Sequence, residues 1–185
     1  KMKVLPLPEW AKGQFSGYAA TADGESVSEN FSMTVGSTGK ISGKFKLGGT
    51  NWTFSASSFA AEAVVDGMTN LVCAVNAKAT VKVGKKNRTF TCPMGFTLVP
   101  DSDTSEIASH TEDGFFGDGE FYARRNPGIS ITKTAGGTVS MDKSYGQVAS
   151  GKSVKFTAKP SKGYAFCGWY DENGTLVSQA LAYSA

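Results

Sequence analysis

The sequence is poor in the residues on which most catalytic and metal chemistry rests. It has a single histidine, His110, which excludes a metal site built on two or three imidazoles and forces any Ser/His/Asp triad through that residue. It has three cysteines, an odd number that permits at most one intrachain disulfide. No apolar run approaches the roughly 18 residues of a membrane-spanning helix. Long Ala/Leu/Glu/Lys stretches are also missing; only Phe59–Val65 has helical propensity, and it is too short to stand alone. Gly-x-Ser-x-Gly, a phosphate-cradling glycine loop and a cysteine beside a histidine are all absent. Paired carboxylates for glycoside hydrolysis are the one catalytic class the composition leaves open, and the chain reads as non-enzymatic.

What fills the 185 residues is small, polar and aromatic: 22 Gly, 20 Ser, 17 Thr and 21 Phe, Tyr or Trp, the aromatics alone being too many for a disordered chain. Phe31, Met33 and Val35 alternate with polar residues, Ser37-Thr38-Gly39 turns the chain, and Ile41, Phe45 and Leu47 alternate again. Gly48-Gly49-Thr50-Asn51 turns it once more into Trp52, Phe54 and Ala56. The clearest pattern is Leu71 to Val83, whose odd positions are apolar while Asn76, Lys78, Thr80 and Lys82 face the other way. Gly84-Lys85-Lys86-Asn87 then turns the chain into Phe90, Cys92, Met94, Phe96 and Leu98. These runs predict an all-β or mainly β fold, with an N-terminal antiparallel β-sandwich or barrel-like meander and a long two-stranded ribbon. A turn centred on Lys85 and Lys86 sets Cys73 against Leu98 and Cys92 against Ala79. The two sulfurs are then about 20 Å apart along the ribbon, too far for a disulfide, so Cys73, Cys92 and Cys167 are expected as free thiols. Gly13-x-Phe-x-Gly17 and Gly39-x-Ile-x-Gly43 echo one another, as glycine-spaced strands of a meander rather than a solenoid.

The net charge of +3 is uneven: residues 1–126 hold 13 Lys/Arg and 13 Asp/Glu, whereas residues 127–185 hold six Lys and three acids. The C-terminal lysines are spread singly, as solvated outward positions, and arginine occurs only at 88, 124 and 125, so nucleic acid is not an expected partner. The polar run Tyr122 to Asn126, ending in Pro127-Gly128, marks a boundary between domains 1–126 and 127–185. The N-terminal stretch lacks the pattern of a signal peptide, its apolar part being interrupted by Pro6 and Pro8, and reads as a start inside a longer protein, with Trp10 anchoring an extended lead-in.

The second domain carries a family pattern. Gly137-Thr138-Val139, the strand Val154 to Ala158, Pro160, the run Gly163-Tyr164-x-Phe166-x-Gly168-Trp169-Tyr170 and Asn173-Gly174 resemble the internalin-type B repeat, a small β-grasp-like module of bacterial cell-surface proteins. Phe156, Phe166 and Trp169 are the expected core of so small a unit. The resemblance implies a further strand after Ala182-Tyr183-Ser184-Ala185, so the module is expected to lack its last strand. The first domain, from Pro8-Glu9-Trp10 onward, resembles more loosely the glycine-rich β modules of large bacterial surface proteins.

Two candidate sites follow from the residues. Asp101, Asp103, Ser105, Ser109 and Glu112 stand at positions one, three, five, nine and twelve of a calcium loop, although Glu106 occupies position six, where the sharp turn calls for glycine. Calcium is therefore the one candidate cofactor; no other is implied. Trp10, Tyr18, Trp52, Tyr122 and Tyr170 are candidate platforms for sugar rings, against the plainer reading that aromatics in such a protein are core. The expected role is a non-enzymatic structural or adhesive module of a large secreted or cell-surface bacterial protein, a stalk or interaction domain monomeric in isolation. Its expected partners are a host or neighbouring-cell surface protein or glycan, without membrane insertion. The alternative is a carbohydrate-binding module attached to a glycan-active enzyme.

Overall fold

The computed structural model describes residues 6–61, 70–101 and 108–185. The chain divides into two compact units, Lys1–Asn126 and Pro127–Ala185.

The first unit is an antiparallel meander that closes on itself. Its strands are β1 (Gly13–Ala20), β2 (Val27–Val35), β3 (Ile41–Leu47), β4 (Thr50–Ala56), the two-residue β5 (Ala60–Ala61), β6 (Leu71–Val83), β7 (Lys86–Pro100), β8 (Ser109–Phe116) and β9 (Gly119–Arg125). Each long strand pairs with its sequence neighbour, β9 returns to β1 along six residue pairs, and Thr53 of β4 pairs with Lys78 of β6. Eight strands thus form a ring of up-and-down topology, the barrel-like form of the expected meander. Part of the stretch expected to favour helix, Ala60–Ala61, is β5 on the edge of β6; residues 62–65 lie outside the described residues.

Alternation along each strand sends one set of side chains inward and the other out. The interior is full. Phe15, Phe31, Met33, Val35, Ile41, Phe45, Phe54, Met94, Phe96, Leu98 and Phe121 are all buried in one cluster. Phe31 stacks on Phe121 with ring centroids 4.7 Å apart, and Phe45 meets Phe116 edge-on at 5.0 Å. An eight-stranded barrel has just enough interior for its own side chains, and this one spends that space on phenylalanine. Glycine permits two close approaches: a Cβ on Gly43 would lie 2.2 Å from the Phe54 ring that crosses it, and one on Gly17 only 1.8 Å from the backbone carbonyl oxygen of Tyr122 on β9. Both are the second glycines of the echoing sequence motifs, so the echo marks close approaches inside the barrel.

The outward set on β3 is Ser42, Lys44 and Lys46, and on β6 it includes Asn76, Lys78, Thr80 and Lys82, all exposed. A barrel inserted in a membrane carries an apolar outer band; the outward faces of β3 and β6 are polar.

Strands β6 and β7 pair from Leu71↔Leu98 to Val83↔Lys86, joined by a two-residue turn with Gly84 at φ 64°. Glycine at the first turn position with positive φ is the arrangement of a type II′ turn. The expected turn centre at Lys85 and Lys86 is therefore one residue too far along the chain. Cys73 faces Phe96 rather than Leu98, and Cys92 faces Ala77 rather than Ala79. The four-residue offset is still about 14 Å, and all three cysteines are free. The ribbon outruns the barrel: Ala79 is buried, whereas Val83 and Phe90 are about half exposed and every residue from Lys82 to Thr91 faces solvent.

The second unit is built from β10 (Gly137–Met141), β11 (Lys155–Pro160) and β14 (Ala182–Ser184) in the order β10-β11-β14, with a separate hairpin of β12 (Trp169–Tyr170) and β13 (Leu176–Ser178). The chain's last residues are part of the sheet, Ala185 exchanging both backbone hydrogen bonds with Val154. Phe156 and Val154 are buried, and the Trp169 ring meets Phe156 at 5.8 Å, Phe166 at 5.4 Å and Tyr183 at 6.5 Å. Trp169 is only partly buried, its indole N–H donating to the Ala180 carbonyl at 2.9 Å. Among the described residues of both units there is no α-helix.

Candidate functional site

The outward faces of β8 and β9 bring the most varied chemistry of the barrel together. His110 and Glu112 alternate outward from β8, and Tyr122 and Arg124 from β9, with His110 paired directly to Arg124 across the ladder. β8 bulges between His110 and Phe115, where Asp113 takes a φ of 49°, a conformation that aspartate tolerates better than most residues.

Asp101, just past the end of β7, is the hub. Its Oδ1 takes a hydrogen bond from His110 Nδ1 at 2.5 Å, and its Oδ2 one from Arg124 Nη2 at 2.6 Å. Burial pushes the Asp101 carboxyl up, but the hydrogen bonds and charges of His110 and Arg124 outweigh it and hold the group below the usual carboxylate range. The backbone N–H of Asp101 also donates to the Ala108 carbonyl at 3.0 Å, joining the end of β7 to the residue before β8. The other face of the imidazole looks to Glu112, with Nε2 3.5 Å from Oε1. The His110 and Tyr122 rings lie 5.9 Å apart, and Tyr122 continues to Tyr18, its cross-strand neighbour on β1, at 6.1 Å.

An aspartate on Nδ1 is the orienting half of a catalytic triad. The adjacent hydroxyl does not complete one: Ser109 points inward, is fully buried, and donates from Oγ to the Trp10 carbonyl at 2.7 Å. That bond does structural work, pinning the lead-in whose Trp10 packs on the core. The cluster acts as a clamp, with one carboxylate tying the end of β7 to β8 and β9.

Of the calcium-loop candidates, Asp103 and Ser105 lie outside the described residues. Asp101 has both carboxylate oxygens committed to His110 and Arg124, and Ser109 faces the interior. Glu112 is outward and exposed. Among the described residues no group of three or more His, Cys, Asp or Glu is placed to hold a metal ion. Of the candidate sugar platforms, Trp10 and Trp52 pack against the barrel core, Tyr170 is exposed on β12, and Tyr18 and Tyr122 form the exposed pair on the β1/β9 wall. Sequence reading singled out Asp101 and Glu112 by spacing and missed Arg124; the signal for it was register, since Arg124 is the residue that β-pairing sets against His110.

Residues 128–184 match the family model of the divergent InlB B-repeat domain. The second unit is thus similar to a repeat associated with bacterial surface proteins, as its Gly-Tyr-x-Phe-x-Gly-Trp core indicated. No curated protein and no solved structure matches the chain.

Proposed function

We propose that the chain is a non-enzymatic structural and adhesive module of a large bacterial cell-surface protein, in which a closed β-barrel precedes a B-repeat-like module. The observation that carries this reading is the B-repeat match over residues 128–184. The barrel supports it: an interior filled by its own phenylalanines leaves recognition to the outer wall. The first unit belongs, on this reading, with the glycine-rich β modules that accompany such repeats. The test is accessibility on intact cells of the producing organism. Antibody raised against residues 1–126 should label unpermeabilised cells, and external protease should remove the label; a protein found only after lysis would overturn the proposal.

The second reading, a carbohydrate-binding module attached to a glycan-active enzyme, draws on Tyr18 and Tyr122, two exposed rings side by side on one wall. Saturable binding to neutral glycans that is lost in Tyr18→Ala/Tyr122→Ala protein would favour it over the first.

A further inference from the structure

The balanced charge of the first unit conceals a segregation. Between Asn30 and Pro100 the described residues include eight Lys or Arg and no Asp or Glu; Glu62 and Asp66 fall outside the described residues. From Asp101 to Glu120 the described residues hold five acids and no Lys or Arg. The ring order keeps these sets on different arcs, with the cations on β3, β6, the start of β7 and the adjoining turns, and the acids just past β7, on β8, on β9 and in the turn between them.

The basic arc is ordered. One register row runs outward-facing across five strands, Ser32↔Lys44↔Thr53↔Lys78↔Thr91. Strands are about 4.8 Å apart, so Lys44 and Lys78 stand about 10 Å from each other with a hydroxyl between them. Neighbouring pairs repeat the alternation: Lys46 opposes Asn51, Thr80 opposes Thr89 with their hydroxyls 3.3 Å apart, and Lys82 opposes Asn87. The projecting ribbon extends the field with Lys85, Lys86 and Arg88, all exposed.

We propose that this arc, with the β6–β7 ribbon, is the docking surface of the module and that its partner is an acidic polysaccharide carrying carboxylate or sulfate groups. The charge complementarity is direct, since a polyanion laid across the strands meets cations at regular intervals, and between Asn30 and Pro100 no described acid opposes them. The interleaved Ser, Thr and Asn side chains supply neutral donors and acceptors for sugar hydroxyls. Lysine dominates and Arg88 is the single arginine of the arc, whereas phosphate recognition in nucleic acids favours the bidentate guanidinium. The inference rests on the adhesive reading above and names the surface and the ligand that would serve it.

The test is binding of the whole chain to polygalacturonate, heparin, dextran and double-stranded DNA at matched ionic strength, by an equilibrium method. Binding to polygalacturonate and heparin is expected, falling by about tenfold or more as salt rises from about 50 to about 500 mM, with dextran inert. Lys44→Glu/Lys78→Glu/Lys82→Glu should abolish it with an unchanged thermal midpoint, all three positions being exposed. Lys152→Glu/Lys159→Glu/Lys162→Glu, an equal change of charge in the second unit, should retain it. Equal losses in the two triple variants would mean that net charge, not the arc, drives binding, and would overturn the proposal. So would dextran binding as tight as that of the acidic polymers, or DNA binding tighter than polygalacturonate. Absence of acidic-glycan binding in protein that still labels on intact cells sinks this inference alone; intracellular location with glycan binding intact sinks the adhesive reading alone.

Discussion

The two units solve the edge problem of β-sheets differently. The barrel joins its first long strand to its last and its fourth to its sixth, so its long strands are paired on both sides over part of their length. The second unit holds three strands in an open order, with β10 and β14 at the margins. Closure creates an inside, and the sequence fills it: Phe15 and Phe31 are 1% and 2% exposed. The open unit has no such interior, and its Trp169 stays partly in solvent while Tyr164 and Tyr170 are more than half exposed. The lesson is that aromatic richness means different things in the two halves. In the first it is a packed core; in the second it is a small patch of rings in which Trp169 of the hairpin meets Phe156 and Tyr183 of the three-stranded sheet.

The sharpest way to break this contrast is Phe31→Ala. Phe31 stacks on Phe45, Phe54 and Phe121, so the cavity cannot collapse easily. The loss should be about 3–5 kcal/mol, a large part of a domain's stability. Denaturant unfolding of residues 1–126 followed by circular dichroism reads it. A loss under about 1 kcal/mol would mean that the barrel is loosely filled.

Trp169→Ala comes next. Partial burial reduces the expected cost to about 2–3 kcal/mol, below the range for a fully buried tryptophan. In a unit as small as Pro127–Ala185 that is still enough to unfold it. The expected outcome is loss of the second unit's dispersed amide signals in an NMR spectrum while those of the barrel persist. Simultaneous loss of both sets would show that the units fold as one.

Much of the barrel was legible because its signals are local. Alternation in Phe31–Val35 and Ile41–Leu47, and the glycine turns between them, need no knowledge of distant residues. The ribbon's turn was misplaced by one position, because Gly84-Lys85 and Lys85-Lys86 are both plausible two-residue turns until Gly84's positive φ chooses the first. Closure through Thr53 and Lys78 was invisible, since a single non-local pair leaves no periodic trace. The Asp101 clamp was half legible: spacing drew attention to Asp101 and Glu112 but assigned them to an ion, whereas register supplied Arg124 as the partner. The charge segregation was hidden by arithmetic, because a sum over residues 1–126 cancels two opposed arcs.

Thiol kinetics sharpen the comparison at lower amplitude. Cys167 is exposed in the open unit and should react first with a thiol reagent in native protein. Cys92 should follow, since burial and then the nearby Asp118 push its thiol up. Cys73 lies in the barrel core, where burial pushes its thiol up to about 11, and should react only through opening of the barrel. All three should react in denaturant without reductant. Fast native labelling of Cys73 would show that the closed sheet opens readily.

The smallest expected effect is the pH dependence of the Asp101 clamp. Its carboxyl lies below the usual range when folded, so the folded state favours the ionised form. Such a group contributes stability above its unfolded value of about 3.9, and the contribution is lost as pH falls through the lower folded value. Other carboxylates move the same way: the backbone N–H of Lys155 lowers Asp142, and the Thr21 hydroxyl lowers Asp23. The raw acid limb of wild-type protein therefore does not isolate the clamp. A difference does. Asp101→Asn protein should be less stable at pH 6 by on the order of 1 kcal/mol, the scale of a hydrogen-bonded ion pair with a solvent-exposed partner. The gap should narrow as pH drops below about 4, because wild-type Asp101 then gives up the same interaction on protonation. Thermal midpoints of the two proteins taken between about pH 6 and pH 2 measure it. A gap that stays constant to the acid end would mean that ionised Asp101 contributes nothing and that the clamp holds by geometry alone.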